Sequence, residues 1–138
     1  EAINTRGADP DNDRAELFRR IAFTILTSNT DDHFRNHGFL WVGKNGWILS
    51  PAYDINPAST SLGVLSTRVD FNESTASIEL LRSVAEFFMP MSAADNIIQQ
   101  CADVVRCWRD FALARRAPES EIKLMETAFE HEELHSLV

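Results

Sequence analysis

The hydrophobic pattern of the chain predicts a mainly helical domain with one short β-hairpin. Apolar residues recur every three to four positions between residues 13 and 28, the period of an amphipathic helix. They are Leu17, Phe18, Ile21, Ala22, Ile25 and Leu26, with Arg14, Arg19 and Arg20 off this stripe. Asp13 and Glu16 resemble a capping box, so the helix is expected to begin at Asp13 and end near Ser28. Residues 1–12 are expected to be an irregular entry segment.

Two short apolar runs follow, at Gly38–Val42 and Trp47–Ser50. They are separated by a loop that contains Asn45-Gly46, a pair that tolerates positive φ in a tight hairpin turn. The aromatic residues Trp41, Trp47 and Tyr53 are expected to form core beneath this hairpin. Residues 62–71 are a further candidate strand.

The second half of the chain predicts three helices. Ser77 is the expected cap of the first, which should end before Pro90, and Ser92 is the expected cap of the second. The inner face of the second helix carries Ile97, Cys101, Val105, Trp108 and Ala112. Pro118 should open the third, where Glu119 and Glu121 favour the positive end of the helix dipole. Cys101 and Cys107 lie too far apart along a helix for a disulfide, so both are expected to be reduced and packed in the core.

Composition and charge narrow the class of protein. The chain has 138 residues, 44% hydrophobic and 25% charged, which fits one globular domain. Its net charge is −8, without a Lys/Arg run, so direct nucleic-acid binding by this chain is not expected. No apolar run is long enough for a membrane span, and reduced cysteines favour a cytoplasmic location.

Candidate chemistry is concentrated in the stretch "SNTDDHFRNHGFL", residues 28–40. The hairpin should return the chain to this stretch, so that Asp54 approaches Asp31, Asp32 and Asn36. Oxygen ligands of this kind suit Mg²⁺. Asp31 and Asn36 also have the D-x-x-x-x-N spacing of a protein-kinase catalytic loop, in which the Asp accepts a hydroxyl proton and the Asn binds a metal ion. A second metal-binding Asp follows a β-hairpin in that pattern, as Asp54 does here.

The segments "RRIAFTILTSNTDDHFRNHGFL" and "WILSPAYDINP" resemble the C-terminal part of the HipA-like serine/threonine kinases, toxins of bacterial toxin–antitoxin pairs. The resemblance implies that residues 1–138 are the C-terminal lobe of a kinase-like fold, which transfers phosphoryl groups from ATP to a Ser/Thr of a protein substrate. It implies Asp31 as the catalytic base, and Asn36 and Asp54 as Mg²⁺ ligands. Asp32 and His33 are candidates for contacts to phosphate or to the groups around the metal, with a structural role for Asp32 favoured.

Kinase chemistry also needs a Gly-rich loop over the phosphates and a strand Lys paired with a Glu, and this chain has no G-x-G-x-x-G. The resemblance implies that these parts belong to an upstream nucleotide-binding lobe, without which the chain is expected to be inactive. It also implies a HipB-like antitoxin with a helix-turn-helix as a partner.

Three other interpretations remain open from the residues. Asp31, Asn36 and Asp54 would serve only as caps of helices and turns, the usual role of Asp and Asn in loops. His33 and His37 have the spacing of a zinc pair, although the Glu of H-E-x-x-H is missing. In the third interpretation, the whole chain is a non-catalytic helical interaction module. The C-terminal "FEHEELH" is expected to be a solvated helix end.

Overall fold

A computed structural model describes residues 1–59 and 77–137, which form a mainly helical chain with one antiparallel β-hairpin. In chain order the elements are α1 (Ala2–Arg6), α2 (Pro10–Leu26), β1 (Phe39–Trp41), β2 (Trp47–Leu49), α3 (Ile78–Ser83), α4 (Met91–Arg106), α5 (Trp108–Ala114), α6 (Glu119–Phe129) and α7 (Glu132–His135). The prediction of a mainly α chain with a short hairpin is therefore confirmed. The strand predicted at residues 62–71 lies outside the described residues. None of the described helices is both long and apolar enough to cross a bilayer.

The core lies where α2 packs against α4, with α3 and the C-terminal residues alongside. Phe18, Ile25 and Ile98 have no solvent exposure. Of the apolar stripe predicted on α2, all residues except Leu17 face this core, and so does most of the face predicted on α4. The chain bends at Cys107 between α4 and α5, and Ala112 is therefore only partly buried.

Two predicted helix starts were wrong. Helix α2 begins at Pro10, and the Asp9 carboxylate accepts a hydrogen bond from the Asn12 N–H. Asp-Pro supplies both an N-cap and a residue that fits the first helical position, which made this the better start signal. Helix α4 follows Pro90 without a side-chain cap, so Ser92 does not cap it. The cap predicted at Ser77 is confirmed, since its hydroxyl accepts from the Leu80 N–H at 3.0 Å.

The hairpin agrees with the prediction to within one residue at each strand end, but its loop differs. Positive φ falls on Gly43 (83°) and Gly46 (104°) and not on Asn45. A Cβ on Gly46 would lie 2.4 Å from the Arg6 carbonyl oxygen, so α1 passes against this turn. The predicted aromatic core beneath the hairpin was wrong: Trp41, Trp47 and Tyr53 are all exposed, because the core forms between α2 and α4 instead.

The two cysteines are free, as predicted, but only Cys101 is in the core. Burial raises the pKa of the Cys101 thiol to about 11, so almost no reactive thiolate forms at neutral pH. We expect a maleimide at pH 7 to modify exposed Cys107 in the folded chain and Cys101 only after denaturation. Mass spectrometry of peptides labelled before and after unfolding measures this, and equal labelling of both cysteines in the native chain would contradict it.

Candidate functional site

The polar stretch begins where α2 ends in a tight reversal. Ser28 has a positive φ of 52°, its N–H donates to the Ile25 carbonyl, and the Asn29 N–H donates to the Thr24 carbonyl at 3.0 Å. This is the hydrogen-bond pattern of a Schellman cap, with Ser28 at the position that usually carries glycine. The Ser28 hydroxyl is also buried, with no hydrogen-bond partner among the described residues. A non-glycine residue with positive φ is strained, and such residues are common at functional sites.

Asp31 and Asn36 lie in the loop after this reversal and differ in exposure. The Asp31 side chain faces solvent, whereas Asn36 is buried. The Asn36 N–H donates to the His33 carbonyl at 2.8 Å, closing the single 3₁₀ turn at Phe34–Asn36. Its side-chain nitrogen donates to the Asp31 carbonyl at 3.4 Å, a long hydrogen bond, so its side-chain oxygen is left as the atom available to a cation.

Asp32 and His37 form a buried pair across the same loop. The His37 Nε2 atom is 3.1 Å from Asp32 Oδ1, and both side chains are largely shielded from solvent. This contact joins the start of the loop to the start of β1, which agrees with the structural role favoured for Asp32. His33 is half-buried, and its Nδ1 has no hydrogen-bond partner within the described ranges.

The hairpin returns the chain to this loop. The Ser50 N–H donates to the Gly38 carbonyl at 2.8 Å, and the Tyr53 hydroxyl donates to the Arg35 carbonyl. Asp54 follows Tyr53, has a positive φ of 57°, and exposes its carboxylate, which also accepts from the Asn56 amide at 2.9 Å. The Tyr53 side chain therefore connects the segment after the hairpin with the loop that holds Asn36, and the approach of Asp54 to Asn36 stays a prediction.

Two buried side chains of α2 hold β2 in place. The Asp13 carboxylate accepts from the Leu49 N–H at 3.0 Å. About two helical turns later, Arg20 donates from Nε to the Glu16 carboxylate at 2.9 Å and from Nη2 to the Ser50 carbonyl at 2.6 Å. Asp13 is 3% exposed and Arg20 7% exposed. The interpretation of Asp13 as a cap was therefore wrong, because its carboxylate has a partner on the hairpin. Arg20 lies off the apolar stripe, as predicted, but it is buried because it too has a partner on the hairpin.

The donor atoms fit a hard divalent cation better than zinc. The candidate ligands are the exposed carboxylates of Asp31 and Asp54 and the amide oxygen of Asn36, on adjacent segments. Mg²⁺ prefers oxygen ligands of this kind. Within residues 1–59 and 77–137, no group of three His, Cys, Asp or Glu side chains is placed to hold a metal ion. His37, one member of the suggested zinc pair, contacts Asp32.

The C-terminal segment also reaches this region, which the sequence did not predict. The His131 Nε2 lies 3.1 Å from the carbonyl oxygen of Leu26, the last residue of α2. The sequence was interpreted as a solvated helix end, but His131 is partly buried and its pKa is lowered from 6.5, mainly by burial. The only signal for this contact in the sequence is a histidine between two helices, which is too common to have identified it.

His131 should make the stability of the chain depend on pH. Because its pKa is lower in the folded than in the unfolded state, the unfolded state binds more protons as pH falls below 6.5. We expect stability to be highest above pH 6.5 and to fall toward pH 5, and His131→Gln to reduce this slope. Urea unfolding at pH 7.5 and pH 5 measures it, with exposed His135→Gln as the control; an unchanged slope in His131→Gln would contradict the prediction.

Comparison with known families gives one match. A model of the family described as "HipA-like C-terminal domain" matches residues 1–108, which include α1 to α4, the hairpin and all the candidate site residues. No curated protein and no solved structure matches the chain.

Proposed function

The chain belongs to the HipA-like C-terminal domain family, and from that premise we propose that it carries the catalytic loop and metal-binding aspartate of an ATP-dependent serine/threonine protein kinase. Asp31 is the catalytic base, and Asn36 and Asp54 are the residues that hold Mg²⁺. The fold around them is the C-terminal lobe of a kinase-like protein, spanning residues 1–138. The Asp32–His37 contact stabilises the loop, and Asp32 and His33 are candidates for contacts to the phosphates or to the groups around the metal.

One observation carries this proposal: the hairpin returns the Tyr53–Asp54 segment to the loop that holds Asn36. The Tyr53 hydroxyl contacts the Arg35 carbonyl, one residue from Asn36. The side chains of Asn36 and Asp54 themselves make local hydrogen bonds, with the Asp31 carbonyl and the Asn56 amide, so the support comes from this contact between segments 18 residues apart. Protein kinases also have a helix, a catalytic loop, a hairpin and a second aspartate in this order along the chain.

In this reaction the protein forms no covalent bond to the phosphoryl group and acts by positioning the reactants and stabilising charge. The substrate hydroxyl oxygen bonds to the γ-phosphorus of ATP while the bond between that phosphorus and the β–γ bridging oxygen breaks, and ADP leaves. Asp31, whose carboxylate is exposed, orients the hydroxyl and takes its proton. When bound, Mg²⁺ neutralises charge on the phosphates. Burial restricts the motion of the Asn36 side chain, which lowers the cost of ordering it around the ion.

A metal titration of the 138-residue chain tests the site without requiring catalysis. We expect Mn²⁺, a paramagnetic substitute for Mg²⁺, to broaden the amide NMR signals around Asp31, Asn36 and Asp54 selectively. Asp54→Asn should weaken this binding by roughly tenfold or more, since it removes a carboxylate ligand. Asparagine tolerates the αL conformation of residue 54, so the backbone should be kept.

Asp110→Asn is the matched control, because Asp110 is an exposed carboxylate on α5. It should leave the Mn²⁺ response unchanged. Broadening that is diffuse over the acidic surface, or that is the same in Asp54→Asn, would favour a non-catalytic helical module instead.

The partners follow from the same proposal. The chain acts with a nucleotide-binding lobe that supplies the Gly-rich loop and the lysine, on a protein substrate, and under control of a HipB-like antitoxin. Co-purification of the chain with its genomic neighbours tests the last of these, and a neighbour without a helix-turn-helix would contradict it.

A further inference from the structure

The two outer edges of the hairpin differ in how their backbone groups are paired. On β2, the Trp47 carbonyl accepts from the Ala8 N–H at 2.7 Å, and the Leu49 N–H donates to Asp13 at 3.0 Å. The junction of α1 and α2 thus covers this edge. β1 has no such cover within the described part of the chain, and the exposed side chains of Phe39, Leu40 and Trp41 lie along it.

The hairpin register shows which groups of β1 are left over. The Val42 N–H bonds to the Gly46 carbonyl, and the Ser50 N–H bonds to the Gly38 carbonyl. Hydrogen-bonded pairs alternate along an antiparallel ladder, so Leu40 and Ile48 form the hydrogen-bonded pair between them. Phe39 and Trp41 therefore direct their N–H and C=O groups away from β2, where no described residue pairs with them.

The sequence of this edge lacks charges and prolines that usually prevent strand addition, although β1 is short, with three residues, which limits the strength of any pairing. Natural edge strands carry charges, prolines or bulges that block pairing with another chain. Here residues 38–42 have none of these charges or prolines, and the only charged residue in residues 38–50 is Lys44, in the loop. Trp41 is 59% exposed and packs against Trp47 with 5.2 Å between ring centroids. Among the described residues this edge is therefore open, neutral and apolar, which makes it a surface for another strand.

We propose that β1 pairs antiparallel with β1 of a second copy of this chain, across a two-fold axis at Leu40, to form a four-stranded sheet. In this register Phe39 of each copy lies opposite Trp41 of the other. The outward N–H and C=O groups of both residues are then all paired, which makes the edge complementary to itself. Residues 38–50 contain no acidic residue, so the pairing does not bring acidic groups of the two strands together.

The area of exposed apolar surface gives an estimate of the affinity of the proposed dimer. We multiply the exposed fraction of each apolar hairpin side chain by a total area of roughly 150–250 Å². The sum is roughly 450 Å² of exposed apolar surface per copy, from Phe39, Leu40, Trp41, Val42 and Trp47. Two copies would bury roughly 900 Å², below the standard size for stable complexes. The dimer should accordingly be weak, with a Kd on the order of 10–100 µM.

Sedimentation of the 138-residue chain at increasing concentration tests the association. We expect a reversible monomer–dimer equilibrium that Trp41→Lys weakens by roughly tenfold or more, because it places a charge on the edge. Phe111→Lys is the matched control, since Phe111 on α5 is 58% exposed, close to the value for Trp41, and lies outside the hairpin. Circular dichroism verifies that both variants are folded.

A cysteine cross-link tests the register. With Cys107→Ser as background, Leu40→Cys should form a disulfide-linked dimer under mild oxidation, because residues opposite each other in a non-hydrogen-bonded pair are about 4.5 Å apart at Cα. Val42→Cys should not, since the same register separates its two copies by several residues. The proposal is overturned if the chain stays monomeric to about 1 mM, if Phe111→Lys abolishes the dimer and Trp41→Lys does not, or if the two cysteines cross-link equally.

Discussion

Replacing Asp31 with asparagine is expected to reduce phosphoryl transfer by roughly 10²- to 10⁴-fold, the usual contribution of a positioned general base. Asparagine keeps the size of the side chain but cannot take the proton of the substrate hydroxyl. Because Asp31 is exposed, the variant should fold like the parent, with its unfolding free energy changed by no more than about 0.5 kcal/mol. Transfer of radiolabelled phosphate from ATP, assayed together with the proposed nucleotide-binding lobe, measures the loss.

Metal binding separates this role from that of Asp54. Asp31→Asn should retain the selective Mn²⁺ response of the site, whereas Asp54→Asn should lose it. Asp32→Asn serves as the neighbouring comparison: it weakens the contact with His37 and should act on loop stability more than on the proton transfer. If Asp31→Asn keeps full activity while Asp32→Asn abolishes it, the two aspartates have been assigned the wrong way round.

Elements with a strong local signal could be predicted from the sequence. The α2 stripe repeats over several turns, and the hairpin has two apolar runs around a loop with two glycines, so local periodicity alone determines both. The contact between the Tyr53 segment and the loop that holds Asn36 is consistent with the predicted hairpin, because an antiparallel pair must return the chain toward its starting point. The family assignment rested on the same local motifs and is confirmed by the match over residues 1–108.

Features that depend on distant partners could not be predicted in this way. Asp13 and Arg20 appear as ordinary polar helix residues, and only the position of β2 shows why they are buried. The hairpin tryptophans looked like core residues, since hydrophobicity does not reveal which face of a two-stranded sheet is covered. The end of α2 lacks the glycine that marks most Schellman caps, so the strained Ser28 had no local signal. The roles of Asp31, Asn36 and Asp54, and the extent of the domain, remain predictions.

Arg20→Ala is expected to destabilise the chain by about 3 kcal/mol, because it removes the donor to the buried Ser50 carbonyl and one partner of Glu16. Since Ser50 begins the segment that leads to Asp54, the same change should weaken Mn²⁺ binding at the site. Arg19→Ala is a closely matched control: it removes the same residue type one position away, also from Glu16, but its side chain is 46% exposed.

An exposed ion pair contributes at most about 1 kcal/mol, so Arg19→Ala should change both stability and metal binding little. Urea unfolding at pH 7 and the Mn²⁺ titration measure the two effects in each variant. Equal losses for Arg19→Ala and Arg20→Ala would mean that charge near Glu16 matters more than the hold on β2. If Arg20→Ala is destabilised but binds Mn²⁺ normally, the hairpin keeps its position without this arginine. Asp54 would then be positioned by the contact between Tyr53 and the Arg35 carbonyl alone.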